Sequence, residues 1–175
     1  MLKKLMKVQK GFTLVEILIV VALIAILAVI ALITINPAEA QKRSRDAQRL
    51  KELGTLQGIV EQYIGDNISS LTAMSAFSTG GNNQCGTGGW HGLDLCKYAN
   101  TVSIDPVNRD GEYTLSDGTI QTGALGYQIQ MDNNLRYNVC ARMESSANAG
   151  KLTSDGVINN YFEVYSSTGG PTCGF

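Results

Sequence analysis

The chain has 175 residues, of which 17% are charged, and a formal net charge of −1. This length holds one modest soluble domain beside a short additional segment, and the near-neutral balance excludes a strongly basic nucleic-acid binder. Glycine is plentiful at 19 residues and proline scarce at 3, which fits a loop-rich folded head rather than a disordered tail.

The first element is a short basic stretch, with Lys3, Lys4, Lys7 and Lys10 ahead of Gly11. An apolar run follows. From Phe12 to Ile35 the one charged side chain is Glu16, and every residue from Ile17 to Ile33 is Ile, Leu, Val or Ala. Such a run can cross a bilayer, whose hydrocarbon core of ~30 Å calls for about 20 helical residues. The upstream lysines hold the N-terminus in the cytoplasm, so the expected topology is a single span, N-in and C-out. A secretory signal peptide also opens with positive charge and an apolar stretch. This run is longer than an ordinary signal core, however, and no small-x-small cleavage site stands apart from the alanine-containing helix. Glu16 is then a problem in itself, because a carboxylate at the bilayer centre costs roughly 2.5–3.5 kcal/mol and calls for a cation nearby.

The stretch Lys10-Gly11-Phe12-Thr13-Leu14-Val15-Glu16, set just before the apolar helix, resembles the processing site of type IV pilins and the related pseudopilins. The resemblance implies cleavage between Gly11 and Phe12 by a prepilin peptidase, which also acts as N-methyltransferase on the new amino terminus of Phe12. A glycine suits the cut, since a residue without Cβ lets the backbone enter a tight protease groove. The resemblance further implies that Glu16 meets the α-amine of a neighbouring subunit. Two unit charges ~4 Å apart attract by about 4 kcal/mol at an effective dielectric near 20, before desolvation is subtracted, which is enough to select a docking register. The bland alternative is a carboxylate that snorkels to the interface. On this reading residues 1–11 are a leader, 12–36 a transmembrane and filament-core helix, 37–67 the amphipathic half of the same helix, and 68–175 a globular β head.

Downstream, Ala47, Leu50, Leu53, Leu56, Val60, Tyr63 and Ile64 recur at three- and four-residue steps and predict one apolar face. Lys42, Arg43, Arg45, Asp46, Arg49, Lys51, Glu52 and Glu61 are assigned to polar faces. A continuous helix from Phe12 to about Asp66 would be on the order of 80 Å long at 1.5 Å per residue. Pro37 interrupts it, removing the amide that would bond to Ile33 at a cost of ~3 kcal/mol in an interior turn. A kink near Ile33 to Pro37 is expected, with a simple helix boundary as the alternative; the resemblance implies that this region lets a filament stretch. Gly54 and Gly58 either permit a close backbone approach or are only tolerated.

Ser69 to Gly92 is rich in Ser, Thr, Gly and Asn and predicts an irregular connection with one short helical turn. The firmest β prediction is a hairpin, with Leu125, Tyr127, Ile129 and Met131 alternating before an Asn133-Asn134 turn and Leu135, Tyr137, Val139 and Ala141 after it. Glu112 to Leu115 and Asn160 to Tyr165 complete an antiparallel sheet of about four strands, whose inner face buries the apolar stripe of the helix. The fold class expected is therefore α+β, a long N-terminal helix on a small antiparallel sheet, which is also the ladle that the pilin resemblance implies.

Cys85, Cys96, Cys140 and Cys173 form an even set on the C-terminal side of the span, where the compartment is oxidising if the topology holds. Of three connectivities, Cys140 with Cys173 would tie the C-terminus to the hairpin, and Cys85 with Cys96 would staple the glycine-rich loop. A metal site is the rival, without a C-x-x-C pair to support it. Asp105, Asn108, Asp110 and Glu112 make an oxygen cluster that could hold Ca²⁺, as in some pseudopilins, although the order of a helix-loop-helix calcium loop is missing and turn residues solvating themselves explain it as well. No other cofactor is expected. His91, the only histidine, has no catalytic partner at a meaningful spacing and reads as a loop residue.

The function expected is a structural subunit of a type IV pilus, not an enzyme. Its partners would be the membrane, the prepilin peptidase, the assembly machinery and copies of itself in a filament used for adhesion, motility or DNA uptake; nothing points directly to nucleic acid. The precursor would sit in the cytoplasmic membrane and the filament outside the cell or in the periplasm. A pseudopilin of a type II secretion system is the alternative, toward which the calcium-like cluster tilts, whereas the cysteines and long loops tilt toward a pilus. A membrane-anchored enzyme or receptor is a third class, and the lack of a catalytic set argues against it.

Overall fold

The computed structural model describes residues 11–69, 71–156, 160–166 and 170–174, apart from the Ala124 side chain. The basic leader with Lys3, Lys4, Lys7 and Lys10 lies outside the described residues. The chain divides into two compact units, Met1–Ala40 and Gln41–Phe175.

In the first unit, helix α1 runs over Leu14–Ile35 and none of its residues is buried. Its composition leaves few side-chain groups to compete for the backbone, so the helix ladder takes up the peptide groups internally, as an apolar solvent demands. It ends at Asn36, whose backbone is left-handed at φ 46°. Helix α2, Pro37–Asn67, starts at the next residue. Asn36 also serves this start: its Oδ1 accepts the Glu39 amide at 3.3 Å and its carbonyl accepts the Ala40 amide at 3.2 Å. Pro37 therefore stands at the first helical position, where its missing N–H is no defect and its φ is already suitable. The break expected between Ile33 and Pro37 takes the form of a helix boundary. Two helices meet at Asn36, one residue before the proline.

In the second unit, α2 buries Asp46, Arg49, Leu53, Leu56, Ile59 and Val60. The lower part of this face, Leu53 to Val60, agrees with the apolar periodicity. Its upper part does not: Ala47 is exposed and Leu50 half-buried, while the charged Asp46 and Arg49 are fully enclosed. Gly54 and Gly58 meet nothing within 4 Å of where a Cβ would stand, so no close approach within the described chain requires them.

The main sheet has the order β1-β4-β5-β6, with β1 Met74–Phe77, β4 Tyr127–Met131, β5 Tyr137–Ala141 and β6 Phe162–Tyr165, all pairs antiparallel. The expected hairpin is β4 and β5, in the register Tyr127 to Ala141 and Met131 to Tyr137. Its turn is organised by Asp132, whose Oδ1 accepts the Asn134 and Arg136 amides at 2.8 and 2.9 Å. Leu135 has φ 62° and belongs to the turn, so β5 begins two residues later than its alternation suggests.

Two strand expectations are corrected. β1 lies inside the stretch read as irregular, where a strand of 4 residues is too short to show alternation; it is recruited by pairing with β4. The Glu112 to Leu115 segment joins no main-sheet strand. It falls in β2, Arg109–Thr114, which pairs with β3, Ile120–Leu125, as a separate ribbon. Leu125 thus ends the ribbon rather than opening the hairpin, and Gly126 separates them. Arg142 ties ribbon to sheet: its guanidinium lies 4.8 Å from the Tyr113 ring and 5.2 Å from the Tyr161 ring, and donates to Gln121 Oε1 at 2.8 Å.

The core sits between α2 and the sheet, where Leu53, Leu56 and Val60 meet Tyr127, Ile129, Tyr137 and Val139. The glycine-rich loop is part of it, contributing Trp90, Leu93 and Leu95. Gly81 lets this happen, since a Cβ there would collide with that of Trp90. Two sheet tyrosines reach through to the edge of α2, Tyr127 donating to Glu52 and Tyr137 to Glu61 at 2.6 Å. Leu56→Ala is expected to destabilise the protein by roughly 2–5 kcal/mol and Leu50→Ala by well under half as much. Thermal unfolding of the full chain in detergent measures both, and equal losses would contradict this placement of the helix face.

Candidate functional site

The segment that carries the processing resemblance is not helical at its start. Gly11, Phe12 and Thr13 precede α1, and Thr13 is its N-cap with an extended backbone at ψ 152°. Thr13 and Glu16 form a reciprocal capping box. Glu16 Oε2 accepts the Thr13 amide and the Thr13 hydroxyl, each at 2.8 Å, while Thr13 Oγ1 accepts the Glu16 amide at 3.2 Å. The consequence is local and chemical. The Gly11–Phe12 peptide is left outside the helix and exposed, and the acid is held one turn from it.

α1 then presents its apolar side chains to the outside along its whole length, from 81% exposure at Leu14 to 66% at Ile35. It is long and apolar enough to cross a membrane. A rod of this kind in water would expose far more contiguous apolar surface than soluble proteins carry, so lipid or other apolar helices must cover it.

In the second unit, the notable chemistry is a buried charge cluster. Arg49 and Asp46 are 0% exposed, and Asp105 is buried with them. Arg49 Nε and Nη2 donate to the two oxygens of Asp105 at 2.6 and 2.9 Å, and Nη1 donates to Asp46 at 2.9 Å and Glu144 at 2.7 Å. Arg45 adds a second fork onto Glu144 at 2.7 and 2.9 Å. Asp46 in turn accepts the backbone amides of Glu144 and Ser145 and the side-chain amide of Asn148. Burial pushes the Glu144 carboxyl up, but the Arg45 bonds and the Arg49 charge outweigh it and hold the carboxyl below its ordinary range. Arg49 is raised by Asp105 and Glu144 in spite of its burial. The cluster fastens the start of α2 in this unit to the chain leaving β5.

Its residues were assigned to polar faces from sequence, and one signal was available: Asp46 and Arg49 continue the 49, 53, 56, 60 phase of the buried stripe with opposite charges three residues apart. The oxygen cluster considered for calcium is divided by this arrangement. Asp105 is committed to Arg49 and to the amides of Val107 and Asn108, Asn108 Oδ1 accepts the Ser78 hydroxyl, and Asp110 and Glu112 are exposed on β2. The carboxylates of Asp105, Asp110 and Glu112 do not converge on one point.

Cys85 is joined to Cys96 and Cys140 to Cys173. The first bridge closes the loop that carries Trp90 and His91; the second lies with Tyr161 in a small buried cluster. His91 is a loop residue but a buried one. Its Nδ1 accepts the Leu93 amide at 3.2 Å, so the proton of the neutral ring sits on Nε2, which donates to the Gln84 carbonyl at 2.9 Å. The ring is therefore satisfied only when neutral, and it staples the glycine-rich loop together.

Residues 6–32 match the family model described as the prokaryotic N-terminal methylation motif. No curated protein and no solved structure matches the chain. The matched motif is the prepilin-type signal of type IV pilins and pseudopilins, and it spans the capping box and most of α1.

Burial holds His91 below its ordinary pKa. The unfolded chain therefore takes up a proton at about pH 6.5, before the folded one does. This contribution to stability is complete above that value and is lost as pH falls below it, toward the folded pKa. Lowering the pH from about 7.5 to about 5.5 is expected to reduce the thermal midpoint of the wild-type chain more than that of His91→Gln, which keeps a donor without the charge. Parallel midpoints for the two proteins would remove the histidine from the acid response.

Proposed function

We propose that this chain is a structural subunit of a type IV pilus, made as a membrane-held precursor and assembled through its N-terminal helix. The observation that supports the reading is the combination in the first unit: an exposed Gly11–Phe12 bond ahead of the helix, a capped acid at Glu16, and an apolar helix with no buried residue behind them. Residues 1–11 would be the leader. Prepilin peptidase would cut after Gly11 and methylate the Phe12 amine, and α1 would hold the precursor in the cytoplasmic membrane, N-in and C-out, until the assembly machinery draws it out.

Extraction needs a new cover for α1, and sister helices supply it. A bare carboxylate among packed apolar helices is unfavourable, whereas one that meets the ammonium of a neighbour is favoured and sets the register. The capping box supports this role because it holds Glu16 beside the new chain end. The disulfides fit a head that works in an oxidising compartment. The second reading, a pseudopilus subunit of a type II secretion system, uses the same N-terminal chemistry; the stapled loops of the head favour a fibre exposed to the surroundings.

Glu16→Ala is expected to leave cleavage and membrane insertion intact while the yield of sheared filaments falls by an order of magnitude or more, as read by electron microscopy and immunoblotting. Abundant fibres of the alanine variant would exclude the pairing role. Gly11→Val should stop processing, leaving a protein of precursor mass; a mature N-terminus at Phe12 in that variant would contradict the proposed cut. Long surface fibres containing this chain distinguish the pilus from the pseudopilus, for which deletion would instead block export of folded proteins.

A further inference from the structure

The segment 171–174 is fastened to the outer face of the main sheet. β4 and β5 turn Tyr127, Ile129, Tyr137 and Val139 toward α2, so by alternation Gln128, Asn138 and Cys140 face the other way. Cys140 stands opposite Gln128 on β4 and opposite Glu163 on β6, which sets the three in one cross-strand row. The segment is tied to this face at three points. Asn138 Nδ2 donates to the Pro171 carbonyl at 3.3 Å, the Gly174 amide donates to Gln128 Oε1 at 3.0 Å, and Cys173 is bonded to Cys140. Gln128, Asn138, Cys140 and Glu163 are all buried although they lie on the face away from α2.

The side chain of Glu163 reaches the bridge in this strap. One of its carboxylate oxygens and the Sγ atoms of Cys140 and Cys173 lie within 4.8 Å of one another, and all three residues are buried. Asn138 Nδ2 donates to Glu163 Oε1 at 2.8 Å and orients the carboxylate. The Glu163 amide donates to Asp155 Oδ2 at 2.9 Å, so a second acid faces the same strand; burial pushes the Asp155 carboxyl up, and the Glu163 charge adds to the rise. Arg142, two residues beyond Cys140, has its guanidinium over the Tyr113 and Tyr161 rings.

We propose that Glu163 guards the Cys140–Cys173 bridge against external thiols and makes it the permanent one of the two. Reduction begins when an external thiolate bonds to one bridge sulfur. Attack at Cys173 breaks the S–S bond, and its electron pair leaves on Cys140 as a thiolate; a second external thiolate then displaces Cys173 and departs with the first as a disulfide. The entering and the leaving sulfur both carry negative charge beside the Glu163 carboxylate. A like charge at that distance disfavours each thiolate, and a thiol of raised pKa is a slower leaving group. Cys85–Cys96 has no such enclosure, since Cys96 is exposed and Cys85 half-buried in the glycine-rich loop, and it is the bridge that opens first. The inference concerns the second unit alone and stands apart from the filament reading.

The test follows the folded, oxidised full chain in detergent as β-mercaptoethanol opens its bridges, with released thiols alkylated and assigned by peptide mapping. Glu163→Gln keeps the size of the side chain and an oxygen for Asn138 but removes the charge. It is expected to open Cys140–Cys173 about tenfold faster or more, with the Cys85–Cys96 rate unchanged as internal reference, while Glu163→Asp stays close to wild type. A wild-type rate from Glu163→Gln would overturn the guard. Should the glutamine variant also lose thermal stability, the charge of the reductant decides the matter. In the wild-type chain the cationic thiol cysteamine should open Cys140–Cys173 faster than the anionic mercaptopropionate, each rate being taken relative to Cys85–Cys96, and the preference should vanish in Glu163→Gln. Equal relative rates for the two thiols in the wild-type chain would refute the role of the carboxylate.

Discussion

Arg49 is a permanent cation with no access to water, and the second unit is arranged around that constraint. A guanidinium cannot shed its proton at any physiological pH, so each of its donors must find an acceptor inside the protein. Asp46, Asp105 and Glu144 supply them from α2 itself, from the segment ahead of the ribbon and from the segment after β5. Removing one partner from such a cluster leaves an uncompensated buried charge, typically a loss of 3–5 kcal/mol. Three stretches far apart in the chain are thereby held to one register. The hydrophobic face below, Leu53 to Val60, can then meet Tyr127, Ile129 and Val139 at a defined height on the sheet.

The two helices obey opposite rules. α2 buries one face and carries polar side chains on the others, with Glu52 and Glu61 placed to receive the sheet tyrosines. α1 has no polar face and no buried residue, so its stability in isolation depends on a solvent that cannot compete for backbone hydrogen bonds. The change of regime falls at Asn36, where a left-handed residue closes one helix and caps the next. Under the proposed function, α1 would exchange one apolar cover for another on leaving lipid for a protein bundle. The backbone of α1 need not change for that exchange, only its neighbours.

The glycine-rich loop shows how a polar stretch becomes part of a core. Its glycines admit Trp90 close to the backbone, the Cys85–Cys96 bridge closes it, and a neutral His91 spans it with two hydrogen bonds. What looks from composition like a connection is a folded lobe that delivers Trp90, Leu93 and Leu95 to the main cluster.

Local chemistry was legible in the sequence. A run of aliphatic residues can only be a helix in lipid or among its like, a glycine before Phe12 and an acid at Glu16 mark its working end, and strict alternation on either side of Asn133-Asn134 makes a hairpin. Each follows from neighbours in the chain. The long-range partnerships of Asp46 and Arg49 and the pairing of β1 were not legible, because each depends on residues more than 50 positions away. A charged residue on an amphipathic helix reads as solvent-facing until the fold brings it an opposite charge, and a weak strand reads as loop until a neighbour with free backbone groups stands beside it. Periodicity states which residues share a face; only the tertiary structure decides what that face meets.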